Sequence, residues 1–195
     1  QSALLEAMSE KQTSIDGKTY PLGEQFTVIA TVNPVDSHGV QPLPEAELDR
    51  FLCSFSIGYP TPEDEVKLIE ARQLQDPIDS VEPILDLNQL LKMRIAVCEI
   101  PVDRELVHYV ARFLEESRKS EDLRLGASPR SGLGIIRFAQ ALAYLKGDDH
   151  LRPEDLQEAL LPTLRHRIFL KEEGGSSEEN EGWLLALMKR VPLPR

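Results

Sequence analysis

Three residues in this chain are of types that handle a nucleotide's terminal phosphate: Asn33, Arg50 and Arg130. Asn33 closes the apolar run Phe26-Thr27-Val28-Ile29-Ala30-Thr31-Val32 and is followed by Pro34. Such a run reads as a strand of a covered parallel sheet, and open α/β sheets bind ligands at the carboxyl ends of their strands. An Asn amide there can donate to a phosphate oxygen and accept from an attacking water at the same time. Arg50 lies in Pro42-Leu43-Pro44-Glu45-Ala46-Glu47-Leu48-Asp49-Arg50-Phe51, at the far end of a short helix over 44–50 that opens on a proline. Its guanidinium offers fixed, permanently charged donors, which suit the charge that develops in phosphoryl transfer. Arg130 follows Gly126-Ala127-Ser128-Pro129. Ser128 reads as a helix cap and Pro129 as the first helical position, so Arg130 sits where backbone N–H groups point outward and attract anions. A cation at that end is slightly unfavourable by itself, so its presence points to an expected anion.

Each residue also has a plainer reading. Asn33 can simply start an Asn-Pro turn. Arg50 can pair with Asp49 or Glu47 at the surface, where such pairs contribute only about 0–1 kcal/mol. Arg130 can point into water. Spacing alone does not lift the phosphate reading above these. Arg165, His166 and Arg167 end a helix, where positive charge complements the dipole. Arg137 lies among apolar residues within a helix and is expected in a buried ion pair. Trp183, with Leu184, Leu185 and Leu187, is expected to anchor the core. No segment of the 195 residues matches the phosphate-holding pattern G-x-x-x-x-G-K-[ST].

The elements that would position these residues change character along the chain. Leu4, Leu5 and Met8 have helical spacing within 2–11. Asp16-Gly17 lies between β-formers in the segment 12–20 and predicts a two-residue hairpin turn. Residues 26–31 and 54–57 are predicted strands. Gly58-Tyr59-Pro60-Thr61-Pro62 breaks the pattern. Beyond it the sequence predicts helices only: 62–72 capped by Thr61, one from Asp86 or Asn88 to Cys98, and one from Asp103 to Lys119. Three more follow: one from Ser128 to Lys146 stopped by Gly147, one over 153–166, and one over 181–190. The polar, acidic stretch 171–181 is expected to be a loop. The fold expected is therefore α/β plus all-α: an incomplete α/β core over residues 1–60 and an all-helical domain over 61–195.

Composition narrows the function classes. Hydrophobic residues make up 41% and charged residues 28%, ordinary for a soluble globular protein. The net charge is −11, with 3 basic and 8 acidic residues in 1–60 and 19 and 25 in 61–195. Neither part is basic, which argues against a nucleic-acid partner. No apolar run approaches the ~18 residues that span a membrane. No signal peptide is recognised, and the chain opens on Gln1 rather than Met, which reads as a processed or truncated piece. Cys53 and Cys98 are expected as two buried thiols in a reducing compartment. No metal site is expected, since His38, His108, His150 and His166 lack ligand spacing.

Taken in order, six segments resemble the MoxR family of AAA+ ATPases. They are Gln1-Ser2-Ala3-Leu4-Leu5-Glu6-Ala7-Met8, the Asp16-Gly17 hairpin ending in Tyr20-Pro21-Leu22, and Val28-Ile29-Ala30-Thr31-Val32-Asn33-Pro34. The remaining three are the 42–51 segment, Gly126-Ala127-Ser128-Pro129-Arg130, and Leu164-Arg165-His166-Arg167. The resemblance covers nearly the whole chain. It implies that residues 1–60 are the later part of an AAA+ P-loop-type core and residues 61–195 its helical lid. It implies Asn33 as the sensor-1 residue, Arg50 as the arginine finger offered to a neighbouring subunit's ATP, and Arg130 as the sensor-2 residue. It also places the 12–20 hairpin toward the central channel of a ring. The implied activity is ATP hydrolysis, with ATP and Mg²⁺ as cofactors. The implied assembly is a cytoplasmic hexamer that remodels or activates partners, often proteins with von Willebrand factor A domains, including in metal-cofactor insertion.

The family's P-loop and Mg²⁺-binding acidic pair are expected upstream of Gln1. This polypeptide alone is therefore expected to bind ATP weakly or not at all and to be inactive. Unpaired strand edges in 1–60 would favour association. Two alternatives stand beside this reading. One is a non-catalytic interaction module that assembles with a separate P-loop chain. The other is a helical DNA-binding protein, which the acidic balance disfavours.

Overall fold

The computed structural model describes residues 2–32, 43–73, 76–171 and 177–194. Helix α1 (Ser2–Glu10) leads into strands β1 (Gln12–Ile15) and β2 (Lys18–Pro21), an antiparallel pair in which Ile15 faces Lys18. The turn residues Asp16 and Gly17 have φ of 51° and 75°. Both therefore adopt the left-handed backbone that a type I′ hairpin requires, as predicted.

The two predicted strands beyond the hairpin do not form. Residues 26–32 and 53–61 run without regular structure, with Ile29 89% and Ile57 96% exposed. An extended segment becomes a strand only when a neighbour takes up its N–H and C=O groups. No such neighbour lies beside either segment among the described residues. The predicted helix over 44–50 shortens to α2 (Glu45–Leu48), with Pro44 as its cap rather than its first residue.

The helical part follows the sequence more closely. Thr61 caps α3 (Pro62–Arg72), its hydroxyl accepting from the Asp64 N–H at 3.2 Å. A 3-10 turn over Pro77–Ser80 precedes α4 (Leu87–Glu99). Asp86 and Gln89 cap α4 reciprocally, each side chain accepting the other's N–H at 2.8 Å. Helix α5 (Arg104–Lys119) buries Leu106, Tyr109, Val110, Phe113, Leu114 and Ser117, one stripe at spacings of three and four. Helix α6 (Pro129–Lys146) ends at Gly147, whose φ of 80° lets its N–H and that of Asp148 close back on the Tyr144 and Ala143 carbonyls. Helix α7 (Pro153–Leu164) packs on α6, and α8 (Ser177–Arg190) lays Leu184 and Leu187 on the same core.

Strands are present after residue 60: β3 (Leu123–Leu125) pairs antiparallel with β4 (Phe169–Leu170). Helix α7 stops at Leu164 rather than 166, and α8 begins at Ser177 rather than 181. Cys98 is exposed and Cys53 only half-buried. Arg137 is exposed and donates to Gln140 Oε1 at 3.1 Å rather than entering a buried ion pair. Trp183 lies half-buried against the core, as expected, and its indole N–H donates to Asp122 Oδ2 at 3.1 Å. Leu185, by contrast, is exposed. No described helix is long and apolar enough to cross a membrane.

Candidate functional site

The turn that carries Arg130 is locked from below by α5. Ser117, fully buried, donates its hydroxyl to the Leu114 carbonyl at 2.7 Å and accepts the Ala127 N–H at 3.1 Å. Arg118 Nε donates to the Ala127 carbonyl at 2.8 Å, so both backbone groups of Ala127 are held. Gly126 lies against α5 so closely that a Cβ there would come within 2.8 Å of the Arg118 backbone. Ser128 then caps α6 by accepting the Ser131 N–H at 3.3 Å. Replacing Ser117 with alanine strands the buried Ala127 N–H, which costs about 1–3 kcal/mol. A urea titration of the S117A chain is expected to show that loss, and an unchanged midpoint refutes it.

The segment after α2 meets this turn. The Asp49 carboxylate accepts the Ser128 hydroxyl at 3.1 and 3.0 Å. Its Oδ1 also lies 3.2 Å from Arg167 Nε. Arg167 is 4% exposed, and its Nη2 donates to the Asp49 and Phe51 carbonyls at 3.1 and 2.7 Å. Burial weakens its hold on the proton; Asp49 opposes that shift and Arg130 adds to it. An arginine nonetheless stays charged under ordinary conditions. Ser54 N–H donates to the Pro162 carbonyl at 2.8 Å, satisfying one of the free carbonyls at the end of α7. Phe55 stacks obliquely on Phe138 of α6, with ring centroids 6.1 Å apart.

His166 is placed differently from its expected role at the helix terminus. Its Nε2 lies 2.9 Å from the Phe51 carbonyl and must carry the hydrogen there, because a carbonyl only accepts. Burial holds its pKa below the usual histidine value, helped by Arg167 and Arg165 and opposed by the Phe51 carbonyl and Asp49. The unfolded chain therefore takes up this proton more readily than the folded one. The His166 contribution is complete above about pH 6.5 and declines as pH falls from there toward the lower folded-state pKa. Stability measured between pH 7.5 and 5 is expected to show this slope, and H166Q is expected to lack that part of it. An identical profile in H166Q refutes the assignment.

Of the three predicted phosphate residues, Asn33 lies outside the described residues. The other two come to one junction: Arg50 directly follows Asp49, and Arg130 lies two residues past Ser128, which is hydrogen-bonded to Asp49. Arg50 does not form the surface pair with Asp49 or Glu47 that its plainer reading requires; Asp49 pairs with Arg167 instead. Arg50 Nε is buried without a partner among the described residues. Arg130 stands exposed in the first turn of α6. Two guanidiniums of this kind suit phosphate oxygens. No group of three or more His, Cys, Asp or Glu side chains is disposed to hold a metal ion among the described residues. Sequence reasoning missed the burial of Arg167 and its bond across 118 positions to Asp49. The only local signal was an arginine just past a helix end.

Residues 1–53 match the ATPase family associated with various cellular activities (AAA), and residues 115–182 match the AAA lid domain. The chain is 40% identical to chaperone MoxR1 of Mycobacterium tuberculosis, over all of this chain and 54% of that protein. It is 36% identical to YeaC of Bacillus subtilis, over all of this chain and 61% of that one. With protein MoxR of Paracoccus denitrificans it shares 28% identity, over 86% of this chain and 55% of the other. The crystal structure of a protein from Cytophaga hutchinsonii superposes with a TM-score of 0.88 at 30% identity, over all of this chain and 62% of that one. The chain thus spans between 54% and 61% of the length of these curated relatives.

Proposed function

The chain belongs to the MoxR family of AAA+ ATPases, and on that premise we propose that it carries the phosphate-sensing and lid portion of a cytoplasmic ATP-driven, chaperone-like remodelling machine. The observation that supports this reading is the Asp49 junction. One carboxylate joins the segment bearing Arg50 to the capped helix bearing Arg130. Bound ATP supplies the phosphoanhydride bond whose cleavage drives the work, with Mg²⁺ as its counter-ion. Arg50 acts as the arginine finger toward a neighbouring subunit's terminal phosphate; the side chain is only half-buried, and no described carboxylate neutralises it. Arg130 acts as the sensor-2 residue, reporting phosphate charge to α6. Asn33 acts as sensor 1, orienting the attacking water. In this reading the division near residue 60 separates core from lid, and neighbouring copies form a hexameric ring. The machine's clients are proteins with von Willebrand factor A domains, and its work includes metal-cofactor insertion. Exposed apolar side chains at Phe55, Ile57, Val66 and Ile69 offer surface for contacts with the rest of the assembly.

The 195 residues contain no P-loop pattern, and without its lysine and amides the triphosphate lacks its main cradle. Calorimetric titration of this polypeptide with Mg-ATP is expected to show no binding tighter than the millimolar range. Micromolar binding overturns that expectation. The functional reading is tested by ATP turnover of the protein its gene encodes, with Asn33, Arg50 and Arg130 changed singly to alanine. All three are expected to lose turnover, and unchanged rates in all three end the assignment. A polypeptide with no turnover of its own that restores turnover to a separate P-loop chain would favour the interaction-module reading.

A further inference from the structure

We propose that Arg167 is the positioning residue for Arg50: one buried guanidinium pins the backbone on both sides of Arg50 to the lid, so that its reach follows the lid's position. The inference rests on the role proposed for Arg50 above. Arg167 Nη2 donates to the carbonyls of Asp49 and Phe51 at 3.1 and 2.7 Å, the two residues that flank Arg50. Its Nε lies 3.2 Å from the Asp49 carboxylate, which is in turn bonded to the cap of α6. His166 donates to the same Phe51 carbonyl at 2.9 Å, so two consecutive residues just past α7 hold one peptide unit beyond Arg50.

Space for this arrangement is built into α6. A Cβ at Gly134 would come within 3.0 Å of Arg167 Nη1 and 3.4 Å of Leu52 Cδ1. The chemistry calls for arginine. Nη2 of the planar guanidinium serves both carbonyls while Nε faces the Asp49 carboxylate as an ion pair without a hydrogen bond, and Nη1 has no partner among the described residues; a lysine ammonium is instead a compact point charge on a flexible stem. The effect of this cluster is exerted through Arg50, and a movement of α6 and α7 is transmitted to the finger through Arg167 and Asp49.

The test uses R167K and G134A in the full chain its gene encodes, with R50A as reference. Hydrogen exchange is expected to quicken about tenfold at the amides of Arg50, Phe51 and Ser54, while α5 keeps its protection. Turnover in R167K is expected to fall about tenfold in kcat with KM for ATP unchanged. In the R50A background, R167K is expected to cause no further loss. Unchanged exchange at 50–54, or loss of protection in proportion throughout the helices, overturns the pin. An R167K effect that multiplies with R50A also overturns it, because the residue would then act by another route. Should R50A itself leave turnover intact, the arginine-finger reading fails, and with it the catalytic half of the inference. The exchange data still decide whether Arg167 holds this segment.

Discussion

With Arg50 in the proposed arginine-finger role, replacing it with alanine is expected to lower the ATP turnover of the protein its gene encodes by about a thousandfold or more, the range over which a guanidinium offered to a transferring phosphoryl group acts. The expectation comes from three features of the residue. Its backbone is fixed by bonds to the carbonyls on either side. Its Nε is buried and satisfied by nothing among the described residues. The neighbouring carboxylate that could have neutralised it is turned to Arg167 and Ser128 instead. A contact made only in the transition state lowers kcat and kcat/KM equally, so KM for ATP should hold. Lysine at this position recovers little, because it keeps the charge but loses the planar fork. Steady-state ATPase assays at saturating and subsaturating ATP separate these outcomes. Mixing R50A subunits with subunits unable to bind ATP also reports whether the finger acts across an interface. If it does, the two defects complement in part.

Asp49→Ala is expected to destabilise the described structure strongly. It leaves Arg167, only 4% exposed, without its counter-charge. It also removes the acceptor of the Ser128 hydroxyl. Removing one partner of a buried ion pair typically costs about 3–5 kcal/mol. Asp49 keeps 24% of its side chain exposed, so the expected loss lies near the lower end, about 3 kcal/mol. Guanidinium titration measures it. Adding Arg167→Met should restore part of the stability, since exchanging a whole buried pair for apolar volume is often close to neutral. Recovery stays partial because the Asp49 carbonyl loses its donor and the Phe51 carbonyl keeps only His166. The double variant would thus be steadier than D49A yet still slow in turnover, which separates the structural role of the pair from its effect on Arg50. A loss in D49A below about 1 kcal/mol would show the pair to be no more than a surface contact.

The capped helix starts were legible because they are set by neighbours in sequence, whereas the ends of α2 and α7 and the start of α8 were not. Thr61, Asp86, Asp103 and Ser128 each meet a backbone N–H two or three residues on, and Gly147 supplies the left-handed stop. The Asp16-Gly17 turn is equally local. Strands were not legible in that way. The run 26–31 has every preference for extension, yet it stays irregular because no ladder partner lies beside it among the described residues. The short β3 and β4 gained partners more than 40 positions apart, a pairing that no local pattern announces. The site divided along the same line. Arg130 could be placed from Ser128 and Pro129 alone. The link from Arg50 to the lid depends on Arg167, whose contacts reach back 116 and 118 positions.

Helix α6 has its capped beginning at the Asp49 junction and runs 18 residues to Gly147. At 1.5 Å per residue that is a rod about 27 Å long. Were it to pivot at Ser128, a tilt of about 10° would sweep Lys146 through about 5 Å by simple geometry on that length. A small rearrangement at the Ser128 end would thereby be magnified at the opposite end, where Lys146 bridges to Asp155 and Glu158 of α7 and would draw that helix with it.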